Sequence, residues 1–487
     1  MAVAAHSRRS FLSAATAAAL FSAGRSQARL LGAPETSRKA EAAVGDELAA
    51  LAEWVTSAGG RLGASVIRLV DGRELARHNP GELYNPASNQ KLLTAAAVLK
   101  TLGGDFRYRT GVYGHLSAGT CHNLVLRGHG DPSLETHDFE RLTRVLRELG
   151  LQRLGGSLFV DQSHFDDSYV PPAFEQQPDE WAGFRAPVSA VALAQNTVTL
   201  NVLAKSAGEV ASVWLEPPGA ATIRGEVQTT ARGQGQSIRF SLAERIGRHE
   251  AVVGGQLAEG LGRLRFVRRL GDPRRVPGNV LRALLAERGV TSQVPVELGG
   301  EGETRRLAYI TSVPLRQLLH RVGKHSDNFY AEMLFKSLGR EATGEAGASL
   351  AGVTQTLAWL RSVGAPTAGT KVVNGSGLFD ANRVSPALLT HVLRAAAHDP
   401  SLAVDYLAQL AISGVDGTLR NRLRRFPYRV RAKTGTLNSV VALSGYVLNR
   451  DAQPALAFSL IVEGLPGRHA ASRTRMDRLV ERMVAAT

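Results

Sequence analysis

Three short segments carry residue types that could act on one another: Ser88-Asn89-Gln90-Lys91, Ser326-Asp327-Asn328 and Lys433-Thr434-Gly435-Thr436. A serine hydroxyl is a poor nucleophile until a base takes its proton, and a lysine is a base only when neutral. Residues three apart on a helix share a face, so Lys91 can point its amine at the Ser88 hydroxyl. Burial and a nearby cation, for which Lys433 is the candidate, both push that amine toward neutrality. Ser326 could then relay a proton to a leaving group, while Asn328 orients Lys91 and a substrate amide. Thr434 and Thr436 share one face of a strand, and Gly435 lets another backbone lie close. Such an edge can hold an extended peptide, with Lys433 attracting its terminal carboxylate. The chemistry these residue types could perform is nucleophilic attack by an activated serine. Each segment alone also has an ordinary reading: a helix-start serine with a solvated lysine, an N-cap cluster, an exposed strand-end cation. The chain holds no second Ser-x-x-Lys, Ser-x-Asn or Lys-Thr-Gly, and only eight lysines, so two of them in these frames make the ordered set informative.

Pro86 suits a helix start, where its missing donor costs nothing, and the Leu- and Ala-rich run from Asn89 to Leu102 predicts the helix that carries Lys91. Ser88 then sits at the positive end of that helix, which favours developing negative charge. Ser326 and Asn328 fall in a loop-to-helix passage ahead of Phe329-Tyr330-Ala331-Glu332. The C-terminal part predicts three successive strands, Arg429 to Lys433, Ser439 to Leu448 and Ala455 to Val462, and a last helix from Met476 to Ala486. Near the start, a helix is expected over Glu47 to Ala58, after a polar leader, and a hairpin about Asp71-Gly72. Between these parts, residues 106–302 change texture to short strand-like runs divided by Gly and Pro turns. Asp138 to Leu149 and Gly278 to Arg288 are the clearest helices there. That region reads as a mainly β insertion of two β-rich subdomains, interrupting a domain built from 29–105 and 303–487.

The 487 residues, 44% hydrophobic and 21% charged, are those of a globular protein. A formal charge of +15 could attract nucleic acid, anionic lipid or a carboxylate-rich polymer. No run of five basic residues occurs and aromatics are only 6%, so nucleic acid is not expected as a partner. One cysteine, Cys121, excludes an intramolecular disulfide and any multi-cysteine metal site, the 13 histidines are scattered, and no metal or cofactor is expected. Residues 1–28 have the parts of a secretory signal: Arg8-Arg9, an uncharged stretch up to Arg25 too short to span a membrane, and Ser26-Gln27-Ala28 for cleavage. The paired arginines suggest a twin-arginine signal and an extracytoplasmic, periplasm-like location. No other segment is long and apolar enough for a transmembrane anchor.

Set in this order, the three motifs are those of class A β-lactamases and penicillin-binding proteins. The chain resembles, more closely, the class C low-molecular-mass penicillin-binding proteins, the D-alanyl-D-alanine carboxypeptidase/endopeptidases. Asn85 to Ala97 looks like their nucleophile segment, and His325 to Glu332 like their second motif. Further echoes are Gly128-His129-Gly130-Asp131-Pro132-Ser133-Leu134, Val160-Asp161, Asn374-Gly375-Ser376-Gly377-Leu378 and Gly414-Val415-Asp416-Gly417-Thr418-Leu419. Together they span Leu51 to Leu465, and the long gap between Lys91 and Ser326 matches the family's insertion. Asn374 departs from the family's usual Asp.

The resemblance implies an α+β fold: a penicillin-binding-protein/serine β-lactamase-like transpeptidase domain, an antiparallel sheet with a helical lobe, carrying the large β insertion. It implies Ser88 as the acylated residue, Lys91 as its activator, Ser326 and Asn328 as assistants, and Lys433, Thr434, Gly435 and Thr436 as the substrate-binding strand. Amides of Ser88 and Thr436 would form the oxyanion hole. The expected partners are peptidoglycan peptides, with β-lactams as inhibitors. A β-lactamase, distinguished by fast release of the acyl group, and a non-catalytic peptidoglycan-binding protein are the alternative readings.

Overall fold

The computed structural model describes residues 35–245, 248–300 and 302–487; the expected signal, 1–28, lies outside them. A six-stranded antiparallel sheet organises the site. Its order is Ala411–Ile412, Val430–Leu437, Val440–Leu448, Pro454–Glu463, Arg61–Arg68 and Glu74–His78. The strand Val440–Leu448 is buried at every position, because both faces of the sheet are covered. On one face Val441, Leu443 and Val447 meet the helices Glu35–Ser57 and His469–Ala485. On the other, Ala442 and Tyr446 meet the helical lobe.

The first helix begins at Glu35 rather than Glu47. Val44, Leu48, Leu51 and Val55 form its buried stripe, and Glu41 pairs with Arg73. That tertiary partner fixes turns which composition alone reads as leader. The strand bearing Lys433 also runs further than expected, to Leu437, because Leu437 pairs with Val440 across a two-residue turn. Lys433, Thr434, Gly435 and Thr436 are therefore all inside the strand. Its outer neighbour, Ala411–Ile412, pairs only with Ala432 and Arg431, so the edge from Lys433 onward is open.

The helical lobe is built round Gln90–Leu102, whose residues from Gln90 to Leu99 are all buried. A helix buried on all sides fits only at the centre of a lobe. Leu315–Lys324, Asn328–Thr343 and Pro386–His398 pack about it. The region between carries three further sheets. One is mixed and six-stranded, built on Arg109–Ser117 and Thr120–Gly128; the others have three and four strands. Arg306–Thr311 pairs with Arg109–Ser117. The inserted sheet thus takes a strand from beyond the 302/303 boundary that sequence texture suggested.

Candidate active site

Asn85 to Lys91 is buried except for Ser88, which alone is partly open to solvent. Ala87–Asn89 forms a single 3-10 turn ahead of the helix Gln90–Leu102, so Ser88 lies just before the α-helix rather than in it. The Asn85 carboxamide oxygen accepts from the Ala87 amide at 2.9 Å and holds Ala87 at a φ of 46°. This left-handed kink is uncommon for a residue with a Cβ. Gly377 accommodates it: a Cβ there would lie 1.9 Å from the Ala87 carbonyl oxygen, and its φ is 76°. We expect Gly377→Ala to destabilise the protein by about 1–3 kcal/mol and to slow acylation, measured by calorimetry and by the rate of label uptake.

Lys91 is 1% exposed, and its amine donates to Ser88 Oγ at 3.1 Å, Asn328 Oδ1 at 2.7 Å and the Ser376 carbonyl at 2.7 Å. Burial brings its pKa down to about 7, against the Glu332 and Asp327 carboxylates, which raise it. Of the two causes expected, burial acts on Lys91 as anticipated, whereas the influence between the two lysines runs the other way, from Lys91 onto Lys433. Burial holds the Lys433 amine well below the usual lysine range, and Lys91 lowers it further. Two buried ammonium groups with little solvent between them cannot both stay charged cheaply.

The second motif divides its labour. Asp327 caps the helix Asn328–Thr343, accepting from the Tyr330 amide, and pairs with Arg321 at 2.9 Å. Ser326, held at a φ of 61°, turns its hydroxyl to the Lys433 amine at 2.8 Å. Asn328 meets Lys91 through its oxygen and donates its amide to the Phe184 carbonyl at 3.1 Å. An ion pair of 2.7 Å between Lys324 and Asp416 ties the helix leading into Ser326 to the loop beside the Lys433 strand.

On that strand Lys433 and Gly435 face the nucleophile turn. A Cβ at Gly435 would stand 3.0 Å from Ala87 Cβ and 3.1 Å from the Pro86 carbonyl. The glycine thus lets the strand close on the nucleophile, rather than only opening its edge to a ligand. Lys433 is 1% exposed, and its amine is spent on Ser326 Oγ and the Thr434 carbonyl, both at 2.8 Å. Thr434 and Thr436 take the other face, where Thr434 donates to the Thr418 hydroxyl at 2.8 Å.

Two participants were not singled out from sequence. Glu332, buried, accepts from the amides of Ser376 at 2.7 Å and Gly375 at 3.2 Å, fixing the loop whose carbonyl meets Lys91. The inserted region reaches the cleft: Gln176, Gln177 and Phe184 line a cavity of about 490 Å³ with Asn85, Asp380 and Thr436. Glu332 stood within the second-motif segment, but nothing local marks a buried carboxylate. The contact of 176–184 is purely tertiary. Asn374, the departure from the family pattern, accepts from the Gly377 amide and from Asn382 at 2.9 Å each. It donates to the carbonyls of Pro172 at 3.0 Å and Leu378 at 3.2 Å. A carboxylate lacks those two donors. We expect Asn374→Asp to lower stability by about 1–3 kcal/mol, read from thermal unfolding.

The whole described arc fits one known group. The D-Ala-D-Ala carboxypeptidase 3 (S13) profile matches residues 46–485. The D-alanyl-D-alanine carboxypeptidase of Actinomadura sp. is 31% identical over 87% of this chain and 81% of its own. D-alanyl-D-alanine carboxypeptidase DacB of Haemophilus influenzae is 24% identical over 84% and 86%. Penicillin binding protein 4 (dacB) from Haemophilus influenzae superposes with a TM-score of 0.75, at 22% identity, over 89% of this chain and 99% of that one. It has the same fold. The chain belongs to the D-Ala-D-Ala carboxypeptidase 3 (S13) family.

Proposed function

We propose that the protein acts as its family does, as a serine D-Ala-D-Ala peptidase, hydrolysing D-Ala-D-Ala ends or peptide cross-links of peptidoglycan through an ester on Ser88. The observation that carries this reading is the contact of 3.1 Å between Ser88 Oγ and a buried Lys91 amine whose pKa is about 7. A general base poised near the working pH combines the right protonation state with proton affinity.

A peptide lies along the open edge from Lys433 to Thr436 as an added strand. Ser88 Oγ attacks the carbonyl of the penultimate residue, and its proton passes to Lys91 Nζ. The carbonyl oxygen, now negative, is held by the backbone amides of Ser88 and Thr436; the close approach of Gly435 to Pro86 and Ala87 supports that pairing. Ser326 Oγ, hydrogen-bonded to Lys433, gives its proton to the leaving amine and receives in its place the proton that Lys91 took from Ser88, so that the amine departs and Lys91 is neutral once more. Water then hydrolyses the ester, with Lys91 again as base. Lys433 supports Ser326, and Thr434 and Thr436 bind the peptide end. Asn328 holds Lys91 and the substrate amide.

Penicillin, whose strained amide resembles the D-Ala-D-Ala end, acylates the same serine. A peptidase of wall peptides works outside the cytoplasm, and Arg8-Arg9 supports export by a twin-arginine route. No described helix is long and apolar enough to cross a membrane. The inserted region, 106–302, serves as β-rich accessory subdomains that frame the cleft through 176–184. The test is release of D-Ala from a peptide ending in D-Ala-D-Ala, together with the lifetime of the penicilloyl ester. D-Ala release with a long-lived ester supports the reading. Rapid ester turnover without D-Ala release replaces it with β-lactamase activity.

A further inference from the structure

With the Lys433 amine buried and bonded to Ser326 Oγ and the Thr434 carbonyl, the open strand edge takes its outward-facing positive charge from another element. Arg473, half-buried on the helix His469–Ala485, donates from its guanidinium to Thr436 Oγ1 at 3.0 Å. No carboxylate among the described residues lies within ion-pair distance of it. Thr434 and Thr436, two apart on one strand face, present their hydroxyls on the same side as Arg473. The strand is thereby divided: Lys433 and Gly435 face the nucleophile turn, while Thr434, Thr436 and Arg473 form a hydroxyl-lined cationic corner on the exposed side.

We propose that Arg473, with the hydroxyls of Thr434 and Thr436, holds the C-terminal carboxylate of the peptide substrate. A guanidinium suits this place because it presents a planar fork of donors to a carboxylate and keeps its charge where a buried ammonium loses it. The inference rests on the peptidase reading and deepens it by assigning the group that recognises a free peptide end. Arg473 touches the substrate end and not the reacting carbonyl, so its loss is felt in substrate affinity.

The experiment compares hydrolysis of two peptides identical except that one ends in a free D-Ala carboxylate and the other in the D-Ala carboxamide. It uses the full mature chain, Arg473→Ala and Arg473→Lys, with thermal unfolding to verify folding and penicillin labelling to verify the nucleophile. The expected result is that the preference for the acid over the amide, as a ratio of kcat/KM, falls about ten- to hundredfold in Arg473→Ala. The fall should come through KM, be partly rescued in Arg473→Lys and be larger at low salt. An unchanged ratio with normal turnover and labelling overturns this assignment alone. An equal loss on both peptides overturns it too, showing that Arg473 merely supports the strand. A wild-type protein that neither cleaves the acid nor takes the label overturns the peptidase reading and this one with it.

Discussion

Ser88→Ala is expected to give a folded protein that takes up no penicillin and releases no D-Ala. Removal of an activated serine costs roughly 10⁴- to 10⁶-fold in kcat when base and nucleophile act as one unit. The structural cost is small. Ser88 is partly exposed, and among the described residues the one side-chain bond at its hydroxyl comes from Lys91, which keeps Asn328 and the Ser376 carbonyl. Stability should therefore change by less than about 1 kcal/mol. Circular dichroism and a melting curve beside the activity assay separate the two effects. Labelling that survives in this variant, with the fold intact, would remove Ser88 from the mechanism.

The second large effect concerns Lys91. Only its neutral form accepts the Ser88 proton, so the acylation rate should rise with pH and level off above a midpoint near 7, where the amine titrates. Lys91→Ala should lose about 10²- to 10⁴-fold in acylation and, with the base gone, that ascending limb as well. The same depressed amine affects stability. The unfolded chain, with lysine near its ordinary 10.5, binds a proton that the folded chain has lost between about 7 and 10.5. Stability from this group therefore rises with pH across that window, and Lys91→Ala should flatten the rise. Acylation rates by stopped flow and denaturant midpoints, both taken from pH 5 to 10, check the two signs. A wild-type limb centred near 10 would mean that the amine is not desolvated as described.

The legible parts of this protein were those in which residue type and spacing act locally. Ser88 and Lys91 sit three apart, Asp327 looks like a cap and is one, and Thr434 and Thr436 share a strand face because strands alternate. The order of the motifs and their family resemblance implied the antiparallel sheet, the helical lobe and the large insertion. What stayed hidden depends on the third dimension. Glu332 looks like any helical glutamate until the Gly375 and Ser376 amides are found against it. Gly435 was read as an opening for substrate, and its missing side chain proves to admit Pro86 and Ala87. Lys433 was read as a carboxylate attractor, yet burial directs its amine to Ser326. The helix from Glu35 and the strand extension to Leu437 were missed because Arg73 and Val440, distant or across a turn, stabilise them. Arg473 is one arginine among many, and only its approach to Thr436 distinguishes it.

The measurement that bears most directly on the account is to incubate the mature wild-type protein with a fluorescent penicillin, digest it and locate the label by mass spectrometry while following its loss. A single long-lived ester on the peptide containing Ser88 is the predicted result. A label on another residue, or none on a properly folded chain, would contradict the assignment of Ser88 as the nucleophile.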